Sequence, residues 1–339
     1  MKKLFTLTML FVATAIFAQE EEAKPSLSIS GSVDAYYRTN LNARNDVDAI
    51  APGSSFANLN GFAIGMANVI ASYEGEKAGF VADLVFGPRG TDAIFESPMY
   101  SRTGDIVNQL YAYWNVSDNL TLTMGNFNTF LGYEVISPVA NFNYSTSYLF
   151  SYGPFSHTGI KADITLSDDF SLMLGVMNDT DLTEFNPDGS YSFGAQFGFV
   201  GQYLNLLMDT RFTEIDFTGG VDISDSFYLG INAAHLTLKD DEGGFTGVAL
   251  YPQLATSDSF TIGLRGEFFV EDGDFGAIGT GVEDSEVFAL TLTGSFAVDN
   301  LTIKPELRLD SASDDAFMDN DLMPSKSLSS FVLAAIYSF

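Results

Sequence analysis

Cysteine is absent from all 339 residues, and only two histidines occur, His157 and His235. No disulfide framework and no Cys/His metal cluster is available, so hydrogen bonding and packing must hold the fold. Basic residues are scarce. The chain has 15 Lys and Arg against 44 Asp and Glu, a formal charge of −29, which argues against nucleic acid as a partner because a polyanion is repelled. Long apolar runs are missing as well. Beyond about residue 20 no stretch is long enough to cross a bilayer as a helix, although 46% of the residues are apolar and 14% aromatic.

Apolar content this high, dispersed and alternating, is what a transmembrane β-barrel requires, since each strand gives half its side chains to lipid and half to the lumen. The beginning of the chain reads differently. Lys2 and Lys3, the apolar run 4–17 and Ala18-Gln19 have the form of a secretory signal peptide, with cleavage expected after Ala18. Residues 19–26 follow as a short periplasmic lead-in, and 27–339 form one barrel domain. At the other end, Phe331, Leu333, Ala335, Tyr337 and Phe339 fall on one side of an extended strand, with Ser330, Val332, Ala334, Ile336 and Ser338 on the other. A strand left unpaired on one edge would expose backbone polar groups to lipid. It is therefore expected to close a barrel, and its terminal Phe resembles the end of bacterial outer-membrane barrels, where that residue marks the last strand for the assembly machinery.

Punctuation along the chain repeats. Ser117-Asp118-Asn119-Leu120, Ser167-Asp168-Asp169-Phe170, Ser224-Asp225-Ser226-Phe227, Ser257-Asp258-Ser259-Phe260 and Asp299-Asn300-Leu301 each place small polar turn residues before a large apolar one. Such residues favour tight turns because their short side chains bond the nearby backbone. These are expected periplasmic turns. Longer polar connections at 40–60, 89–105, 128–156, 179–189, 271–284 and 311–327 alternate with them as external loops. The spacing predicts an all-β, antiparallel transmembrane barrel of about 16 strands, within about 14 to 18. Its strands are expected at 27–39, 61–74, 78–88, 106–116, 119–127, 157–166, 169–178, 190–200, 202–212, 214–223, 227–238, 245–253, 258–270, 285–298, 301–310 and 328–339.

Strand parity assigns the lumen. With Leu27, Ile29, Val33, Ala35 and Tyr37 toward lipid, Asp34, Tyr36 and Arg38 turn inward. The same alternation turns Lys161, Asp163, Asp209, Arg211, Arg265, Glu267, Lys304, Glu306 and Arg308 inward. A Lys or Arg on the lipid face at mid-bilayer would cost about 2 to 4 kcal/mol, so the inward orientation wins. Ordinary lumen ion pairs are the plain reading of these residues, and one wall of a selectivity constriction is the functional one.

The connection 128–156 is too long for a bare linker and too aromatic for a solvated loop, so it is expected to fold into the lumen. Within it GYEVISPVANFNYSTSYLFSYGPFSHTG, residues 132–159, resembles the signature of the putative beta-barrel porin-2 (OmpL-like) family of bacterial outer-membrane proteins. That resemblance implies a porin-type barrel and brings no substrate with it.

Combining loop and wall, Glu134, Asn141, Asn143, Tyr144 and Ser145 are expected to narrow the lumen opposite the basic residues, a carboxylate facing arginines across a gap. The expected function is an outer-membrane porin, a passive channel for small hydrophilic solutes. The alternative is a non-conducting scaffold or adhesion barrel acting through its acidic loops, which hold Asp240, Asp241 and Glu242, Glu271, Asp272 and Asp274, and Asp314, Asp315, Asp319 and Asp321. An enzyme is not expected. Ser156 and His157 are strand neighbours pointing to opposite faces, which works against a Ser-His pair. No cofactor or metal is called for, the partners are outer-membrane lipid and solute, and association as a homotrimer is left open.

Overall fold

The computed structural model describes residues 25–94 and 106–339, so the signal-peptide reading and most of the lead-in lie outside the described residues. The strands are β1 (Ser26–Asn40), β2 (Gly61–Glu74), β3 (Ala78–Phe86), β4 (Val107–Ser117), β5 (Leu120–Asn128), β6 (Ser156–Thr165), β7 (Phe170–Met177), β8 (Ser192–Phe199) and β9 (Gln202–Met208). They continue as β10 (Phe212–Ser224), β11 (Phe227–Leu238), β12 (Gly244–Ser257), β13 (Phe260–Asp272), β14 (Glu286–Val298) and β15 (Leu301–Ala312). A small hairpin, β16 (Phe317–Met318) with β17 (Pro324–Ser325), precedes β18 (Ser327–Ser338). Two short helices, α1 (Pro88–Asp92) and α2 (Tyr148–Tyr152), sit in the connections after β3 and β5.

Every barrel strand pairs antiparallel with its sequence neighbours, and β18 lies between β15 and β1, which closes a 16-stranded barrel. Closure brings the first and last strands of the barrel together: Ser32 faces Ser338, and Gly31 and Phe339 exchange backbone hydrogen bonds of 3.1 and 3.0 Å. Gly31 has to be small here. A Cβ on it would stand 2.3 Å from the Asn68 carbonyl oxygen and 2.9 Å from the Phe339 ring. Gly31→Val is therefore expected to lower the yield of folded barrel, read as loss of the compact, heat-modifiable band on an unboiled SDS gel.

The tight turns form where the Ser-Asp repeat placed them, and for a local reason. Ser117, Ser167, Ser224 and Ser257 each accept, on the side-chain oxygen, the amide of the residue two positions on, at 3.3 to 3.4 Å. Beyond the turns, lipid-side aromatics stack in pairs, among them Phe170 on Phe199 at 4.7 Å and Phe260 on Phe296 at 4.3 Å. This is the girdle position of a membrane barrel.

Alternation holds around the wall. On β1, Val33 is 50% exposed while Asp34 is 7% exposed, and Phe288, Leu290 and Leu292 of β14 point outward beside inward Thr291 and Thr293. Phe331 is half-buried and Leu333, Tyr337 and Phe339 are exposed on the outer face of β18, as the alternation required. One boundary needs correction. The strand expected at 202–212 ends at Met208, because the Asp209 amide bonds the Phe212 carbonyl at 2.9 Å and turns the chain there. This external connection and the one at 239–243 are short, so the alternation of tight with long connections is incomplete.

Candidate functional site

The segment between β5 and β6 is tied to strands far around the wall. Asn128 pairs with Ser156, so both ends of the loop rise from adjacent strands. Yet Gly132 donates its amide to Asp216 on β10 at 3.1 Å, Tyr133 stacks on Tyr251 of β12 at 4.2 Å, and Asn143 donates to Thr293 on β14 at 2.7 Å. Tyr144 donates its hydroxyl to Asp34 on β1 at 2.5 Å. In a closed barrel those partners are reached by crossing the bore.

Side chains of the wall grip the loop's backbone. Glu306 accepts the amides of Tyr144 and Ser145 at 2.9 and 3.2 Å, and also the Ser145 hydroxyl. Glu267 accepts the amides of Tyr148 and Leu149 at 3.0 and 2.8 Å, where the first turn of α2 leaves donors free. Cations take the carbonyls. Arg308 donates to Thr146 O at 2.8 Å, Arg265 to Ser145 O at 2.5 Å, and Lys304 to Pro138 O and Asn141 O.

Glu134 does not face the basic wall across water. Its Oε1 accepts from Arg265 Nη1 at 2.6 Å and its Oε2 accepts the Ser147 amide at 2.7 Å, with both charged side chains almost wholly buried. The expected gap between carboxylate and arginine is thus a direct contact. Asn141 closes a turn of the loop on itself, donating to Val135 O at 2.6 Å and accepting from Val135 N at 2.8 Å.

Four of the expected lumen charges stay outside this cluster. Lys161 and Asp163 pair with each other on β6 at 2.7 Å. Asp209 and Arg211 pair at 3.1 Å beyond the end of β9, where the Arg211 side chain is 47% exposed. Arg211 therefore belongs to an external turn and not to the wall of the lumen. Arg38 lies deep and donates to Asn40 Oδ1 at 2.9 Å and Ile50 O at 3.2 Å.

Sequence reading missed Arg89, because it was placed in a loop with no parity to follow. Its Nε and Nη1 donate to Ile136 O and Tyr144 O at 2.7 and 3.1 Å, and its guanidinium lies 4.5 Å from the Phe56 ring centre. Asp310, which accepts Arg308 at 2.7 Å, and Asp216 were missed too, although the alternation of β15 and β10 turns both inward. His157 is buried against Phe130 at 5.2 Å, whereas His235 sits on the outer face between Thr237 and Thr246. The two are not part of one site.

Inward side chains toward the external end of β1 are packed, and those nearer the tight turns are open. Arg38, Asp34, Glu306 and Arg308 are buried, whereas Ser28 and Ser30, on the same inward face of β1 nearer the tight turns, are exposed. A closed sheet, apolar outside and polar inside, with one loop laid across its bore, defines an outer-membrane porin.

The profile of the family described as Putative beta-barrel porin-2, OmpL-like, matches residues 26–339, and the chain belongs to that family. Its place is the bacterial outer membrane. No curated protein matches the sequence. Among solved structures the chain is similar to the outer membrane channel DcaP of Acinetobacter baumannii, with a TM-score of 0.62 at 12% identity over 94% of this chain and 98% of that one. It is also similar to the anion-selective porin from Comamonas acidovorans, with a TM-score of 0.61 at 12% identity over 93% and 100%. The trimer form of Vibrio cholerae OmpT aligns with a TM-score of 0.55 at 12% identity over 93% and 100%. At such identities the likeness is one of fold.

Proposed function

We propose that the protein is a passive diffusion channel for small hydrophilic solutes, in which residues 128–156 constrict the lumen and no catalytic chemistry takes place. One observation carries this reading: the loop crosses the bore and is held by Arg265, Glu267, Glu306 and Arg308, while inward residues nearer the tight turns remain open to water. Liposome swelling is the direct test. Vesicles holding the barrel are expected to swell in small sugars, with a rate that falls as the sugar grows, and absence of swelling would refute the channel.

Within the constriction, Glu134 offsets the charge of Arg265, so Glu134→Ala is expected to leave that guanidinium uncompensated and shift reversal potentials toward anions. An unchanged reversal potential in asymmetric salt removes Glu134 from the selectivity role. For solutes the acidic loops concentrate cations at the mouth at low salt.

The terminal strand is the segment the assembly machinery would read, its outer face carrying the exposed side chains of Leu333, Tyr337 and Phe339. A homotrimer suits the wall. Strands β7, β8 and β9 have only 8, 8 and 7 residues, fewer than the roughly 9 to 11 needed to cross the hydrocarbon. Their outer face carries an apolar groove of about 420 Å³ floored by Ala162 and Ala195. A second copy seated there would shield that short side.

A further inference from the structure

Arg89 of α1 is 3% exposed, and a guanidinium keeps its charge even when buried. Two of its nitrogens are spent on the loop, Nε on Ile136 O and Nη1 on Tyr144 O. Nη2 is buried with no hydrogen-bond partner, and no carboxylate among the described residues pairs with the side chain. The carboxylates whose field reaches it are engaged elsewhere. Asp34 accepts the Met66 amide at 3.0 Å and the Tyr144 hydroxyl at 2.5 Å, and Glu134 is held by Arg265 and Ser147.

Arg89 lines a cavity of about 460 Å³ together with Tyr36, Phe56, Leu59, Ile64 and Tyr144. The cavity runs from the inside of the sheet to its outer face at the external end of β2. Tyr36 points inward and is 5% exposed, whereas Ile64 pairs with the outward Ala35 and is 64% exposed. The segment 55–58 forms part of its wall, and there Phe56 and Ala57 have φ of 65° and 56°, a left-handed conformation that residues with side chains rarely hold. In the same segment the amides of Phe56, Ala57 and Asn58 make no hydrogen bond among the described residues. A buried cationic donor and three backbone donors, all without acceptors on one cavity, call for a ligand with negative charge and several lone pairs. Leu59 and Ile64, exposed at the mouth, suit the carbon part of such a ligand.

We propose that this cavity binds a phosphate group, carried by a lipid headgroup at the external rim or by a small soluble phosphate, with Arg89 Nη2 and the amides of 56–58 as its donors. The Phe56 ring lies 4.5 Å from the guanidinium, so the ligand reaches Nη2 by displacing that ring. Strain in the left-handed backbone of Phe56 and Ala57 favours the displacement, as strain stored at a ligand clamp does. Asp92, the carboxylate of the lining, is exposed, and solvent screens its repulsion. The site goes beyond the channel reading and does not depend on conduction.

Thermal unfolding of the full-length barrel in nonionic detergent tests it with two probes. One is dihexanoyl phosphatidic acid, and the other is sodium phosphate compared with sodium chloride of equal ionic strength. A ligand bound to the folded state is expected to raise the wild-type midpoint by several degrees. A rise with the lipid at concentrations where sodium phosphate has no effect assigns the headgroup as the source, and equal rises assign a soluble phosphate; either supports the site. Arg89→Gln is expected to lose the rise, but it also frees the loop. Ser55→Asp is therefore the second variant: it puts a carboxylate on the cavity wall while the bonds of Arg89 to Ile136 and Tyr144 stay in place. It is expected to unfold as the wild type does in sodium chloride and to lose the rise. Phosphate strengthens apolar burial in any protein, so the difference between wild type and variant is the readout. A wild type indifferent to both probes, or a rise equal in the wild type and in either variant that folds, overturns the proposal.

Discussion

Arg265→Ala is expected to destabilise the barrel by about 3 to 5 kcal/mol, the usual cost of removing one partner from a buried ion pair, and to raise single-channel conductance. Arg265 donates to Glu134 at 2.6 Å, to Ser145 O at 2.5 Å, to Thr146 O at 3.2 Å and to Thr291 at 3.2 Å, so one side chain joins β13, β14 and three points of the loop. Without it Glu134 is a buried charge with no counter-ion, and the loop escapes that strain only by moving toward water. Denaturant unfolding in detergent gives the stability and planar bilayers the conductance. The double variant Arg265→Met with Glu134→Gln should recover most of the stability, because both charges leave together. As a control, Lys161→Ala should change stability by less than about 1 kcal/mol, since its pair with Asp163 is partly solvated.

Excising residues 131–153 and joining the strands with a short Asn-Gly-containing turn is expected to have the larger effect on function. The barrel itself should still close, because Asn128 already pairs with Ser156 and the hairpin needs only a tight connection. Wall residues that now hold the loop, Glu267, Glu306, Lys304 and Arg308, would meet water in a wider bore and so incur no burial penalty. Conductance should rise several-fold, and vesicles should swell in sugars that the wild type excludes. If the excised barrel folds, as judged by heat modifiability, and conducts as the wild type does, the loop is not the constriction.

The two experiments separate the loop's two attachments. Arg265 tests the electrostatic grip, and excision tests the presence of the loop whatever holds it. A conductance rise in the second without the first would mean that Glu267 and Glu306 hold the loop unaided. Their hydrogen bonds to four successive or near-successive loop amides give that outcome a physical basis.

Much of the barrel was legible because a β-strand carries its instructions locally. The turns bond within two or three residues, as Ser167 does with Asp169 and Phe170, and alternation needs no knowledge of the partner strand. For that reason the strands at 61–74 and 227–238 stand where they were expected, and β18 closes the sheet. The boundary at β9 failed because an apolar residue, Phe212, continues the alternation across a turn that Asp209 and Arg211 make. In the loop, Glu134, Asn141, Asn143, Tyr144 and Ser145 were singled out as polar residues of a family-like segment, but their partners were not legible. Glu134 and Arg265 are 131 residues apart, Tyr144 and Glu306 162, and nothing local to either position encodes the distance between them.

By itself the sequence determined that this chain crosses the membrane as a closed antiparallel sheet whose strands alternate outward and inward side chains, and that its longest connection is too aromatic for a solvated loop. These follow from a period of two and from the cost of unpaired backbone or charge in hydrocarbon, and both act within a few residues. Only the tertiary structure decided that Glu134 touches Arg265 instead of facing it across water, that Arg89 enters the lumen cluster from a short helix, and that Oε2 of Glu214 is buried without a donor among the described residues. Those outcomes depend on how far one loop reaches across a bore whose width is set by sixteen strands at once, and no local pattern contains that number.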